Sequence, residues 1–334
     1  MNTRRPGGAT AALGPRAASV AAARRLRRPS ARRAEGLFLA EGFQAVEAAL
    51  AAGRLVELFV GESAGARHGT LVAGAAAEGL PVRLVTDAAA AALSETVTPQ
   101  GLVGVATLPS TRLADLSGAE AATPAGVGTA SPASTARASG TIGAPGTTGR
   151  RPAGDGAGQP GMRARAALVA VCVAANDPGN AGTVIRTADA AGADAVVFAG
   201  EGVDPFGGKC VRASAGSLFH LPVVVEPDLA AALGWLRGAG CRVVATSGYG
   251  ARDLYDAADA GELDGPTGWL FGNEAHGLPP EVLTAADAVL RVPVYGQAES
   301  LNLAVATALC LYASARARRM ARSGTHGTGG GGRR

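Results

Sequence analysis

The chain has 334 residues, and 47% of them are hydrophobic, which is enough for a sizeable core spread over about two domains. Its formal net charge is +4. No uncharged apolar run reaches the roughly 20 residues of a membrane-spanning helix, so we expect no membrane span. The N-terminus has arginines but no continuous apolar run, which argues against a signal peptide and favours a cytoplasmic protein.

The positive charge is concentrated at the two ends of the chain. Residues 1–33 hold nine arginines and no acid, and residues 316–334 hold six arginines and no acid, whereas the segment between them has 16 basic and 27 acidic residues. That distribution is typical of arms that bind nucleic-acid phosphates, although solubilising tails would show it as well. The candidate contacts are Arg24, Arg25, Arg27, Arg28, Arg32 and Arg33.

Cysteines and histidines give no sign of a metal site. The four cysteines lie in separate apolar segments without a CxxC pair, and the four histidines do not cluster in the sequence. We therefore expect buried, reduced thiols and no metal.

The first part of the chain predicts a small α/β domain over residues 16–108, after a disordered tail at 1–15. Strands are expected at 37–40, 55–60, 82–85 and 102–106, with helices between them and a basic helix that ends near Pro29. This alternation favours a three-layer sandwich. Residues 109–165 are rich in Ala, Gly, Thr, Ser and Pro and predict a flexible linker, which either lets two units embrace a large substrate or has no role.

A second domain is predicted over residues 166–322, followed by a disordered basic tail at 323–334. A continuous apolar strand at 167–174 is followed by helices and strands in alternation, among them a helix at 211–219. This rhythm predicts a parallel, doubly wound sheet. Ligands bind such sheets at the carboxyl ends of the strands, so polar motifs at strand ends are candidate sites.

The first such motif is 176–192, which follows the buried strand and opens a helix. Its glycines lack the full GxGxxG spacing, so a nicotinamide-dinucleotide site is weakly supported. If Asn180 caps the helix, Arg186 can reach back over the helix start. Arg186 lies among apolar residues and needs an anionic partner, which could be an ordinary carboxylate.

Two further motifs end later strands. In 268–278 a strand runs into Gly272, where a ligand can approach the backbone closely, and Glu274 follows as a partner for Arg186. In 290–316 a strand and a polar loop lead to Ser300 and Asn302 at the start of a long apolar helix, with Ser300 as a good N-cap. An ordinary capped helix packed on a sheet is the alternative reading of that last stretch.

These three motifs, in this order, resemble the signature of the SpoU/TrmH family of RNA ribose 2′-O-methyltransferases within the SPOUT superfamily, over about residues 166–320. The segment 211–223 is similar to a further family segment, and the arginine-rich region near the N-terminus resembles the substrate-binding domain of rRNA-directed members. The resemblance implies an α/β protein: a C-terminal SPOUT parallel sheet with a deep trefoil knot, plus a small N-terminal α/β RNA-binding domain.

The resemblance also implies ligands and roles. S-adenosylmethionine would sit bent in the knot, and family members are homodimers through the last helix. The cofactor pocket would be lined by Thr246, Gly272, Val292 and Leu301, and the functional polar positions would be Asn180, Arg186, Glu274, Ser300 and Asn302.

The expected activity is 2′-O-methylation of a ribose in structured RNA, with 23S rRNA favoured over tRNA because of the N-terminal domain. A guanidinium is a poor base, so we expect Arg186 to hold a phosphate and stabilise the developing oxyanion, with Glu274 orienting it. Asn180, Ser300 and Asn302 would fix the ribose and the motif loops. A tRNA ribose methyltransferase and a non-catalytic RNA-binding knot protein are the alternatives.

Overall fold

The computed structural model describes residues 11–116, 168–273 and 276–324, which form two β-sheets with helices on both faces of each. Within these ranges, no helix is long and apolar enough to cross a membrane. All four cysteines are buried, and none is in a disulfide. Burial raises the pKa of the Cys241 thiol to about 11.

The N-terminal unit contains the smaller sheet. Its elements are α1 (Ala18–Arg25), α2 (Pro29–Glu35), β1 (Leu37–Glu41), α3 (Phe43–Ala51), β2 (Leu55–Gly61), α4 (Gly69–Ala77), β3 (Val82–Val85), α5 (Asp87–Leu93) and β4 (Leu102–Thr107). The strand order is β1-β4-β2-β3, with β4 antiparallel to both neighbours and β2 parallel to β3. Helices α1 and α5 cover one face and α3 and α4 the other, so the predicted three layers are confirmed.

Two details of this unit differ from the prediction. Pro29 was expected near the end of a helix, but it also begins α2, because a proline at the first helical position lacks only an N–H that would be unpaired anyway. Residues 11–15 belong to the predicted disordered tail, yet Leu13 pairs with the edge of β3: its amide donates to Leu84 O at 2.9 Å. Residues 1–10 lie outside the described ranges.

The C-terminal unit contains the larger sheet. After α6 (Leu113–Leu116) come β5 (Leu168–Val173), α7 (Pro178–Ala190), β6 (Ala195–Ala199), α8 (Gly208–Ala213), β7 (Val223–Glu226), α9 (Leu229–Gly238), β8 (Arg242–Thr246), β9 (Arg252–Asp253), α10 (Leu254–Asp259), β10 (Thr267–Phe271), α11 (Pro280–Ala285), β11 (Ala288–Arg291) and α12 (Leu303–Gly324). The strand order is β7-β6-β5-β10-β8-β11-β9, and every pairing is parallel. The predicted parallel, doubly wound sheet is confirmed.

The middle of this sheet is buried on both faces, which fixes the helices that cover it. Every residue of β5 is buried, as expected for a central parallel strand. On one face, Trp269 of β10 lies under α12 and donates its indole N–H to Ser314 Oγ at 2.9 Å. On the other face, Gly268 lies against Leu236 of α9, where a Cβ would come within 2.6 Å of a leucine methyl. The long helix α12 is thus held against the sheet centre.

The two sheets share one continuous hydrophobic core. Phe38 of β1 stacks on Phe219 with ring centroids 5.7 Å apart and meets the edge of Phe206 at 5.5 Å. The predicted helix at 211–219 is broken here: Ala215 and Gly216 adopt positive φ values of 50° and 93°, and a 3₁₀ turn follows. A Cβ on Gly216 would lie 2.9 Å from a backbone oxygen of α3, so the break brings the two units into close backbone contact.

Buried ion pairs reinforce this junction. Arg32 is only 4% exposed, and its Nη2 lies 2.6 Å from Asp204 Oδ2 in the loop after β6. Glu41, at the end of β1, is buried and binds Arg212 of α8 as well as the Ser94 hydroxyl. Charged groups are buried only when they are paired, so these contacts fix the two units relative to each other.

The start of the predicted linker is ordered. Leu113 and Leu116 of α6 are buried, 7% and 2% exposed, in the hydrophobic cluster that α9 forms with the large sheet. The prediction of a flexible linker from 109 is therefore wrong up to residue 116, because these two leucines provide apolar contacts that the surrounding composition obscures. The rest of the predicted linker lies outside the described residues.

Candidate active site at the carboxyl edge of the large sheet

Four neighbouring strands of the large sheet end beside one another, and the three predicted motifs follow those ends. Strand β5 leads into α7, β10 leads to Gly272, and β11 leads to Val292, while Thr246 ends β8. Because the strands are parallel, all these positions lie at the carboxyl edge, where open α/β sheets bind ligands.

The first turn of α7 is organised by Asp177, which is the N-cap. Its Oδ1 accepts the Asn180 amide at 2.7 Å, and its Oδ2 lies 2.9 Å from Nζ of Lys209, the only lysine in the chain. The hydrogen bond from Lys209 and then the one from Asn180 lower the pKa of the Asp177 carboxyl. The prediction that Asn180 could cap this helix is wrong: it lies inside the first turn.

Asn302 links the starts of α7 and α12. Its Oδ1 accepts the Ala304 amide at 2.9 Å, so it is the residue that caps α12, and its Nδ2 donates to Asn180 Oδ1 at 2.9 Å. The prediction that Ser300 begins the helix as its cap is wrong, since Ser300 lies in the exposed loop before it. The structure therefore brings together two of the predicted polar residues, 122 positions apart in the chain.

Arg186 lies on the outer surface of α7 and is exposed. It is six residues beyond Asn180, about 120° away around the helix axis. Its guanidinium makes no hydrogen bond or ion pair with another described residue. One turn earlier in α7, Gly182 packs closely on α8, where a Cβ would lie 2.4 Å from Cys210 O. Glu274, its predicted partner, lies outside the described residues.

Three of the predicted cofactor residues lie at the ends of β8, β10 and β11, and Leu301 lies just before α12. A Cβ on Gly272 would lie only 2.2 Å from the carbonyl carbon of Gly277, so no side chain fits between these two loop segments. Val292 and Leu301 are half-buried. Thr246 is also placed here, but its hydroxyl donates to Leu270 O at 3.0 Å and supports the strand end.

Asn273 is a contributor to this edge that was not among the predicted site residues. Its Nδ2 donates to Ala174 O at 2.7 Å, just beyond β5, and its backbone pairs with Gly277 in both directions. Ala174 has a positive φ of 50°, so this hydrogen bond accompanies a strained backbone. The sequence could have indicated Asn273 as a site residue, because it is polar and directly follows Gly272 at a strand end.

Five of the six predicted RNA-binding arginines are exposed, and one is buried. Four of them line one groove of about 540 Å³ in the N-terminal unit, together with Glu95: Arg24, Arg25, Arg27 and Arg28. Within the groove, Arg27 pairs with Glu95 at 3.4 Å, while Arg25 pairs with Glu35 at 2.6 Å. Arg33 is exposed, whereas Arg32 is buried in the junction.

Models of two protein families match the chain in separate regions. Residues 167–312 match the SpoU rRNA methylase family, and residues 39–112 match the model described as RNA 2′-O ribose methyltransferase substrate binding. The C-terminal unit is thus similar to a SpoU methylase domain, and the N-terminal unit is similar to the substrate-binding domain of RNA 2′-O ribose methyltransferases. The carboxyl edge described above lies within the SpoU methylase region.

Curated relatives match slightly less than half of the chain. The chain is 42% identical over 151 residues to the 23S rRNA (guanosine(2553)-2′-O)-methyltransferase RlmP of Bacillus subtilis. It is 39% identical over 153 residues to the 23S rRNA (uridine(2479)-2′-O)-methyltransferase of Streptomyces viridochromogenes. These matches cover 45% and 44% of this chain but only 58% and 52% of the two relatives.

Solved structures share the fold over most of the chain. An AdoMet-bound rRNA methyltransferase from Sinorhizobium meliloti has a TM-score of 0.67 and 28% identity, covering 90% of this chain and 95% of that one. The SpoU methyltransferase AviRb from Streptomyces viridochromogenes, in complex with AdoMet, has a TM-score of 0.66 and 25% identity, covering 91% and 99%. The α/β fold with its parallel sheet is thus that of SpoU methyltransferases.

Proposed function

We propose that this chain transfers a methyl group from S-adenosylmethionine to the 2′-oxygen of a ribose in 23S rRNA. The observation that carries the proposal is the hydrogen bond between Asn302 and Asn180, which joins the start of α12 to the start of α7, the helix that also carries the exposed Arg186. The names of the curated relatives and the AdoMet held by related structures support the same reaction.

The cofactor is proposed to bind in a crevice at the carboxyl edge, beside half-buried Val292 and Leu301 and the closely packed backbone around Gly272. These groups suit an adenine ring and hydrogen bonds from main-chain groups. When bound, S-adenosylmethionine would supply an electrophilic methyl group on its sulfonium sulfur. The trefoil knot implied by the resemblance stays a prediction and would enclose this crevice.

Arg186 acts on the RNA in this proposal. Its guanidinium holds the phosphate next to the target ribose and stabilises negative charge as the 2′-hydroxyl loses its proton. Asn180 and Asn302 fix the two helix starts around the ribose, and Ser300 lies in the exposed loop on the same side. Glu274 is proposed to orient Arg186, as the resemblance implies.

The groove lined by Arg24, Arg25, Arg27 and Arg28 is proposed to hold phosphates of the same RNA. Its arginines precede residues 39–112, which match the substrate-binding model, and Glu95 of that segment lines the same groove. Four guanidinium groups around one groove favour a polyanion. A 23S rRNA substrate places the protein in the cytoplasm. A tRNA substrate is the second candidate, and a non-catalytic RNA-binding protein is the third.

A homodimer through α12 is part of the proposal. Three large apolar side chains of this helix are half exposed or more, Val305 at 48%, Tyr312 at 52% and Met320 at 59%, which suits burial against a second copy. Sedimentation across a range of protein concentrations tests this directly. A monomer at all concentrations would remove the dimer from the proposal.

The test of the proposed function is transfer of labelled methyl from S-adenosylmethionine to total RNA that lacks the modification. The RNA is then separated into rRNA and tRNA and hydrolysed with alkali, which cannot cleave beside a 2′-O-methylated ribose. Label in an alkali-resistant dinucleotide of 23S rRNA is the expected result. Label in tRNA would favour the second candidate, and bound RNA without label would favour the third.

A further inference from the structure

Two tyrosines stand almost fully in solvent at the rim of the candidate crevice. Tyr249, in the loop after β8, is 101% exposed, and Tyr295, in the loop after β11, is 87% exposed. The chain has only four tyrosines among its 334 residues, so half of them are at this rim. Neither ring is buried against the described residues, so both are available for a contact outside them.

The loop that carries Tyr249 packs on the end of β11, and the loop that carries Tyr295 follows that strand. The Ser247 amide donates to Leu290 O at 3.0 Å, which ties the first loop to β11. A Cβ on Gly250 would lie 2.8 Å from Arg291 N, so this loop touches the strand backbone without an intervening side chain. The rim therefore flanks the predicted cofactor positions that end β8 and follow β11.

Local hydrogen bonds hold the first ring's backbone in place. The Tyr249 amide donates to Ser247 Oγ at 3.2 Å, and the Gly250 amide donates to Ser247 O at 3.0 Å, which closes a tight turn. The second ring lies in the run 294–300, in which every residue is exposed. One ring is thus presented on a closed turn and the other on an open loop, both facing solvent at the edge where substrate would arrive.

We infer that Tyr249 and Tyr295 stack on unpaired RNA bases next to the target nucleotide. This inference rests on the proposed function, because it places the RNA at the carboxyl edge. Proteins that read unpaired RNA stack its bases on exposed aromatic side chains, and a tyrosine ring offers a flat face at a small loss of conformational freedom. The substrate class is therefore single-stranded RNA loops, with the arginine groove holding backbone phosphates at a distance.

Binding to two short RNA probes tests this stacking without requiring catalysis. One probe is a fluorescein-labelled single-stranded oligoribonucleotide of about 12 nucleotides, and the other is its abasic counterpart with the same phosphates. We expect Tyr295→Ala and Tyr249→Ala each to weaken binding of the first probe by about tenfold and to leave binding of the abasic probe unchanged. Affinity for S-adenosylmethionine should not change.

Substitutions at the same positions provide matched controls. Tyr295→Phe keeps the aromatic face and should bind like the unsubstituted protein, whereas Tyr295→Leu keeps apolar bulk and should bind like Tyr295→Ala. The inference is overturned if the alanine variants bind the base-bearing probe normally, or if leucine replaces tyrosine fully. It is equally overturned if the alanine variants lose cofactor affinity or dissociate into monomers, since the rings would then line the cofactor site or a contact between copies.

Failure of this inference is separate from failure of the proposed function. The proposed function fails if the unsubstituted protein transfers no methyl group, whatever the probes show. Stacking fails if methyl transfer occurs and the base-bearing and abasic probes respond alike to all substitutions.

Discussion

The junction between the two sheets and the carboxyl edge of the large sheet each contain an arginine that the sequence singled out, in opposite environments. At the junction, Arg32 is 4% exposed and bound to Asp204. At the edge, Arg186 is exposed on α7 and makes no hydrogen bond or ion pair with a described residue. A buried, paired guanidinium serves the fold, whereas an exposed one without such a partner is available to a substrate.

The largest expected change in stability comes from breaking the junction. Arg32→Ala leaves the Asp204 carboxylate without its partner and two backbone carbonyls, Leu26 O and Arg27 O, without their donor. We expect the free energy of unfolding to fall by about 3 kcal/mol in urea denaturation. Arg33→Ala, at the exposed neighbour, is the matched control and should change it by less than about 0.5 kcal/mol. Equal effects of the two variants would contradict the assignment of Arg32 to the junction.

The link between α7 and α12 should show a smaller, separable effect. Asn302→Ser keeps a cap oxygen but cannot reach Asn180, whereas Asn302→Ala removes both interactions. We expect the serine variant to be as stable as the unsubstituted protein and the alanine variant to lose about 1 kcal/mol, measured by urea denaturation. Both should be slower in methyl transfer. Full activity of Asn302→Ser would show that the link to Asn180 is dispensable.

The junction was the part of the fold that the sequence did not predict. Asp204 lies 172 residues from Arg32, and no local pattern connects them. Arg32 therefore looked like its neighbours in a basic run, although only the docking of the two sheets decides which arginine is buried. The broken helix before Phe219 has the same cause, since the close approach of Gly216 to α3 is a tertiary contact.

The carboxyl edge was predicted better because its information is local. Strand, turn and helix follow one another within each motif, so the periodicity placed the motifs at strand ends, whereas the sheet order that makes those ends neighbours is seen only in the structure. The caps were assigned wrongly because Ser300 and Asn302 are both good capping residues. The contact between Asn302 and Asn180 distinguishes them, and it is visible only in three dimensions.

The arginine groove should affect RNA affinity rather than stability. Replacing Arg24, Arg25, Arg27 and Arg28 by glutamine removes four charges from one groove. We expect the slope of log affinity for rRNA against log salt concentration to become shallower by about 0.9 for each lost phosphate contact with duplex RNA. The slope should stay unchanged in a control that replaces only exposed Arg16, which does not line the groove. An unchanged slope in the fourfold variant would show that these arginines touch no phosphate.

The smallest expected effect concerns the ion pair at the start of α7. The pKa of Asp177 is lowered in the folded state by Lys209, so the pair stabilises the protein at neutral pH and this contribution is lost as the pH falls through the folded pKa. Both side chains are substantially exposed, so solvent screening limits the contribution to less than about 0.5 kcal/mol. The free energy of unfolding of Lys209→Met, measured by urea denaturation, should approach that of the unsubstituted protein as the pH is lowered from about 7 to about 3. A difference that grows at low pH would contradict this account.

The most direct test of the contrast between the two regions is the single-turnover rate of methyl transfer by Arg186→Ala, measured on 23S rRNA that lacks the modification. The account predicts a loss of at least about 100-fold, because a guanidinium that stabilises developing charge is removed. The free energy of unfolding and the affinity for S-adenosylmethionine should stay unchanged. A variant that folds, binds the cofactor and transfers methyl at the normal rate would contradict the assignment of this edge as the active site.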